Sequence, residues 1–333
     1  MLLASTGIVG VDQALRDCIE LIERQLPDRV RGYYLVGSYA YGEALPASDI
    51  DLIILLKGEL AQADRDRFAV AREACRRSSP APLDLSLDSE AKFLRVGAVW
   101  FQTASLLAYG EDVRPHIPRK PVANHIRDLM HSVFPLLARV RGDPAHLTFP
   151  LNYPDPAGTL YGYDARYRDS ANLDGAVTKD LVTNVLAAAN ALTLLAAQQY
   201  VGSGKKSDIP RQYAAWIGGE WAALVEDVFG YCRIGWGYRL PETEADLAHL
   251  RGMCQQALRF ENAFLERYRD LLLEYAQSGD MPAQLLAARR LGQIVYRDPG
   301  VAAALEQLAA HSNSEIRQAA AAAIQRCQPF TPA

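Results

Sequence analysis

Apolar side chains recur at Val11, Leu15, Cys18, Ile19, Ile22 and Leu26, the spacing of one helix face, and Pro27 ends the pattern. Two short apolar runs follow, around 33–36 and 50–56, and predict strands joined by a turn and a brief helix. Residues 59–77 are charged and helical in pattern, whereas 83–88 (LDLSLD) alternates strictly and predicts a further strand. Helices alternating with strands predict an α/β domain over residues 1–118. Beyond it the β signal nearly vanishes. Helical patterns cover 121–141, 176–200, 210–231 and 243–277, broken at GSGKKSD (202–208), and predict an all-helical domain over 119–278. Residues 147–175 are rich in Tyr, Asp, Pro and Gly with little periodicity, and loops of that length are often functional.

In the tail, placed at 279–333, residues 283–327 are alanine-rich and read as three short helices broken at RDPG (297–300) and HSNS (311–314). Its pattern resembles one HEAT-like repeat. A single repeat cannot bury its own apolar face, so this tail should pack on the helical domain or on a protein partner. A plain helical hairpin closing the core is the simpler reading of the same pattern.

Composition narrows the function classes. The chain has 333 residues, 35 basic against 39 acidic, for a net charge of -4, which argues against broad binding to nucleic acid or anionic membrane. Five scattered cysteines without a CxxC read as reduced core thiols, and the six histidines show no metal-ligand spacing. The N-terminus lacks a basic n-region, and no window of ~18 uncharged apolar residues suggests a membrane span. The expected location is the cytoplasm.

The chemistry concentrates in YYLVGSYAYGEALPASDIDLIILL, residues 33–56. A strand alternates its side chains, so Asp49 and Asp51 point to one side with anchors ~6.5 to 7 Å apart. Two carboxylates so placed repel unless they share a cation. Their hard oxygens suit Mg²⁺, which takes one or two protein carboxylates and fills its shell with phosphate and water. Gly37-Ser38 supplies the complement, a tight turn whose backbone N–H groups at a helix start can receive phosphate oxygens. Together these residues predict a metal–nucleotide site.

Gly37-Ser38, Gly42 and Ser48-Asp49-Ile50-Asp51-Leu52, in strand–turn–strand context, resemble the signature of the polymerase-β-like nucleotidyltransferase superfamily. The resemblance implies an α/β nucleotidyltransferase domain with a small mixed sheet, followed by the all-α domain with its HEAT-like tail. It implies two Mg²⁺ ions held by Asp49 and Asp51, an ATP or other nucleoside triphosphate as co-substrate, and a third carboxylate on a neighbouring strand. LDLSLD offers Asp84, Ser86 and Asp88 on one face. Asp84 and Asp88 lie ~13 Å apart along the strand and cannot serve the same metal. Asp84, early in the strand between apolar neighbours, fits the superfamily pattern better than Asp88, with Glu90 a remoter candidate. Asp84 would act as a metal ligand or as base for the attacking hydroxyl.

Residues 202–242 look like the helical domain of aminoglycoside nucleotidyltransferases, with Lys205 or Lys206 at a helix start, the Ala215-Trp216 pair, and Tyr231 or Tyr238 as the aromatic. The resemblance implies that the lysine reaches the triphosphate, joining Gly37, Ser38 and Ser48 on the nucleotide side. The expected reaction is transfer of a nucleoside monophosphate, AMP from Mg-ATP, to a hydroxyl of a small molecule such as an aminoglycoside. Asp155, Asp164, Asp169 and Asp174, set among tyrosines, could receive a polycationic sugar or form a solvated loop. A second reading is an adenylylating antitoxin or regulatory module acting on a protein partner. That partner class carries an Arg-x(4–6)-His motif, and Arg141 and His146 stand at that spacing here, but Gly142 and Pro144 oppose the helix such a motif needs. A third reading is a second-messenger synthase built on the same core.

Overall fold

The computed structural model describes residues 2–46, 48–79, 81–141, 147–152, 160–165, 177–202 and 204–327. The chain divides into two compact units, Met1–Ile126 with Gln198–Ile209, and Arg127–Ala197 with Pro210–Ala333.

The first unit is built on a four-stranded mixed sheet of β1 (Val30–Val36), β2 (Ile50–Leu56), β3 (Leu83–Ser89) and β4 (Leu106–Gly110), in the order β3-β2-β1-β4. β1 pairs antiparallel with β2 and β4, and β2 pairs parallel with β3. Strand alternation gives the sheet two apolar faces. On one, Tyr33, Leu35, Ile50, Leu52 and Ile54 meet Leu15 and Ile22 of α1 (Val9–Gln25) and Phe68 of α3 (Gln62–Ser78). On the other, Tyr34, Ile53 and Leu55 meet Phe93 of α4 (Glu90–Val96) and Phe101 of α5 (Val99–Ala104). Each fully buried aliphatic such as Leu15 or Ile22 contributes roughly 2 kcal/mol of transfer free energy. Asp49 and Asp51 share the phase of Ile53 and Leu55 and so belong to the second face. The five-residue α2 (Gly37–Tyr41) joins β1 to the loop before β2.

The strands expected around 33–36, 50–56 and 83–88 are present. β4 (LLAYG) carried no strand signal: five residues, the last of them glycine, offer too little alternation.

The second unit is dominated by helices. α6 (Val122–Arg141) precedes α7 (Lys179–Ala197), α8 (Ile209–Trp216) and α9 (Ala222–Asp227). A π-helical segment, Val228–Gly235, follows, and then α10 (Glu244–Gln277) opens on a Thr243 side chain that accepts the Asp246 N–H. The helix expected over 210–231 is interrupted because Gly218 and Gly219 adopt φ +65° and +73°, outside helical space. α7 is long and apolar enough to cross a membrane by length and composition, yet two-thirds of its apolar window is buried within the protein (67%). Leu147–Phe149 (β5) and Ile294–Tyr296 (β6) add a two-stranded parallel ribbon that the sequence did not signal.

The tail forms α11 (Met281–Leu291), α12 (Pro299–Ala309) and α13 (Ser314–Cys327), with breaks at the two expected motifs. Ala287, Ala288, Ala304, Leu308, Ile316 and Ala320 pack together with Ala276 and Leu273 of α10. The apolar face that the sequence leaves to either the helical domain or a partner is therefore covered by α10. All five cysteines are free thiols, four of them buried.

Candidate active site

β1 ends where β2 begins, because the two are antiparallel with Val36 opposite Asp51. Gly37 then turns at φ +68°, and a β-carbon there would overlap Asp51 Oδ2. Only glycine combines that backbone angle with room for the carboxylate. α2 closes at Gly42 (φ +69°), and the Glu43 N–H donates to the Ser38 carbonyl at 2.9 Å, folding the segment back on the Gly-Ser turn. Ser48 is buried, and its Oγ accepts the Leu45 N–H at 2.9 Å. Its hydroxyl thus shapes the turn that delivers Asp49.

β3 decides the geometry of the third carboxylate. Asp84 stands in register with Asp51, and Asp88 with Leu55. Neighbouring strands lie about 4.8 Å apart, so Asp51 and Asp84 are side by side on one face. Asp84 is exposed, and Asp49 and Asp51 are half-buried. Asp88 lies further along and takes Lys92 Nζ at 2.6 Å. Glu90 accepts from Arg31 Nε at 2.7 Å and from the Gly58 N–H at 2.8 Å. The Arg31 guanidinium holds the Glu90 carboxyl below the usual carboxylate range, outweighing burial. Asp51 and Asp84 therefore stand side by side at the N-terminal ends of β2 and β3, with Gly37 against Asp51 and Asp49 two residues before it, while Asp88 and Glu90 serve helix and sheet contacts elsewhere.

Tyr39, which carries no distinguishing signal in sequence, sits beside Asp49. Burial, and then the Asp49 charge, push its phenol up from the ordinary tyrosine value. Among the described residues no three His, Cys, Asp or Glu side chains form a ready-made metal cage. The donor set of exposed and half-buried carboxylates suits Mg²⁺, whose remaining ligands are normally substrate phosphates and water.

Lys205 and Lys206 are half-buried and lie in the segment Gln198–Ile209, which belongs to the same compact unit as the carboxylates. That segment is fixed at two places. Tyr200 donates to the Lys120 carbonyl and lies under the Arg119 guanidinium, 4.5 Å from the ring centroid. Further on, Ser207 Oγ donates to Glu43 Oε1.

In the second unit, Tyr238 is buried with Arg233 donating to its hydroxyl, whereas Tyr231 is exposed and packs on Trp236 and His249. Trp216 of the Ala-Trp pair is also exposed. Asp164 is buried. Asp155, Asp169, Asp174 and His146 lie outside the described residues. Arg141 closes α6 and pairs with Glu261 in the core, so its charge is already committed.

Residues 15–105, from α1 through α5, match the family model described as a nucleotidyltransferase domain. This segment is a nucleotidyltransferase domain. The match spans Gly37, Asp49, Asp51 and Asp84, and the domain's mixed sheet is the one that sets Asp84 beside Asp51. No curated protein matches the chain in sequence. Among solved structures, the chain is similar to spectinomycin adenyltransferase AAD(9) from Enterococcus faecialis, crystallised with ATP and spectinomycin. Identity is 12%, 74% of this chain and 98% of that chain are covered, and the TM-score is 0.36.

Proposed function

We propose that the protein transfers a nucleoside monophosphate, AMP from ATP, to a hydroxyl of a small-molecule acceptor and releases pyrophosphate. The observation that carries this reading is the register of β2 and β3, which sets Asp84 beside Asp51 at the strand ends where Gly37 meets the Asp51 carboxylate.

Asp49 and Asp51, with Asp84 on the adjoining strand, would hold two Mg²⁺ ions, which when bound neutralise charge on the triphosphate and on departing pyrophosphate. Gly37, Ser38 and Ser48 shape the turn against which the phosphates lie, and Lys205 or Lys206 adds positive charge from the segment fixed on the same unit. The acceptor oxygen forms a bond to the α-phosphorus. The bond from that phosphorus to the bridging oxygen breaks, and pyrophosphate leaves with the electron pair. Asp84, exposed and on the same face, takes the acceptor proton. The likeness of residues 202–242 to aminoglycoside nucleotidyltransferases supports a polycationic aminosugar as acceptor class. A cytoplasmic location fits an enzyme that draws on ATP.

The assignment of Asp84 over Asp88 is tested by pyrophosphate release from ATP, Mg²⁺ and a panel of aminoglycosides. Asp84→Asn should lower the rate by about 10²-fold or more, the scale of a lost general base. Asp88→Asn removes a partly exposed pair with Lys92 and should change the rate less than about twofold. Equal losses in both variants would remove Asp84 from its assigned role.

A further inference from the structure

The segment that carries Lys205 and Lys206 returns to the nucleotidyltransferase unit although residues 127–197 intervene, and it lands at one place. Gly204 adopts φ +81°, and a β-carbon on it would stand 2.6 Å from Tyr41 Oη and 3.7 Å from the Ala104 β-carbon. Three residues later Ser207 donates to Glu43. The receiving residues therefore flank Gly42, the left-handed closure of α2. Glu43 is itself tied to the nucleotide turn, since its N–H bonds the Ser38 carbonyl at 2.9 Å. Tyr41 is part of the same seat: burial, and then the Glu43 charge, push its phenol up to about 12, so it stays a neutral hydroxyl at physiological pH. The path from the lysines to Asp51 thus runs through Ser207, Glu43, Ser38 and Gly37, with one direct contact at each step.

We propose that Tyr41 and Glu43 are positioning residues that seat the lysine-bearing segment 204–208 beside the Gly37-Ser38 turn, and so set the affinity for the nucleoside triphosphate. Neither touches the reacting atoms. Gly204 is required because any side chain would displace Tyr41, and Glu43 is required because its carboxylate takes the Ser207 hydroxyl while its backbone holds Ser38. The proposal rests on the nucleotidyl-transfer reading, which gives the lysines a triphosphate to meet. It adds that their placement is imposed by the domain rather than by the flexible Gly/Ser composition of the segment.

The test is a double-substitution cycle on the full chain, read as the Kd for ATP with Mg²⁺ by calorimetry alongside the thermal midpoint. Ser207→Ala and Glu43→Ala should each weaken ATP binding by about tenfold, the scale of one charge-assisted hydrogen bond. The double variant should be no weaker than Glu43→Ala alone, because both changes undo the same contact. Glu43→Gln, which keeps an acceptor for Ser207, should recover most of the affinity. Ser207 is exposed, so Ser207→Ala folds even if Glu43→Ala does not, and it then decides alone. An unchanged Kd in Ser207→Ala, or fully additive losses in the double variant, would overturn the proposal while leaving nucleotidyl transfer intact. Failure of the unsubstituted protein to bind ATP would instead overturn the transfer reading, and the seat with it.

Discussion

Asp51→Asn is expected to reduce nucleotidyl transfer by about 10³-fold or more, because in the proposed mechanism several kcal/mol of charge stabilisation at the triphosphate depends on that carboxylate. The folded state should be spared. The change is isosteric, so the close approach of Gly37 is kept, and the backbone pairs to Val36 and Asp84 do not involve the side chain. The thermal midpoint should therefore change little while the rate collapses. Paired measurements of pyrophosphate release and thermal unfolding separate this outcome from simple destabilisation, which would lower both.

The second large effect lies far from the carboxylates. Arg141→Met should destabilise the second unit by about 3 to 5 kcal/mol, the cost of leaving a buried charge without its partner. The Arg141 and Glu261 side chains are 4% and 0% exposed. Arg141 also donates to the Tyr161 carbonyl at 2.6 Å and to Tyr163 Oη at 3.0 Å, and Glu261 accepts from Tyr163 at 2.8 Å and Asn184 at 3.2 Å. Burial alone would push the guanidinium down, and the Glu261 charge overrides it. Losing Arg141 thus leaves the Glu261 carboxylate buried without its countercharge, held only by the Tyr163 and Asn184 donors. Pairing Arg141→Met with Glu261→Leu should recover much of the loss, since no charge is then left behind. Urea unfolding of the two variants checks the order: the single change must cost more than the double.

The parts of the fold legible in sequence were those whose signal is local. The alternation in β2 and β3 and the Gly-Ser turn are written in consecutive residues, and strand geometry then forces Asp49 and Asp51 to one side. That Asp84 rather than Asp88 faces Asp51 needed the register of a parallel pair, which no single strand encodes. The three-residue strands β5 and β6 are too short to show a period. The return of residues 198–209 was hidden for another reason: GSGKK has the composition of a linker, and the contacts that fix it belong to Tyr41 and Glu43. Glu261 left a trace that was readable. It falls within the apolar stripe of Ala257, Phe260, Phe264, Leu265 and Tyr268 in α10, and a glutamate on such a stripe calls for a buried cation.

On the proposed mechanism nucleotide binding depends on Asp49, Asp51 and Asp84 whatever the acceptor, which makes calorimetry with each of the four ribonucleoside triphosphates the most direct measurement. The expected result is binding of one or more of them, ATP among them, that requires Mg²⁺, disappears with EDTA and is lost in Asp51→Asn. Binding of none of the four in the presence of Mg²⁺, by a protein that unfolds cooperatively and is therefore intact, would contradict the assignment of Asp49, Asp51 and Asp84 as a nucleotidyl-transfer centre.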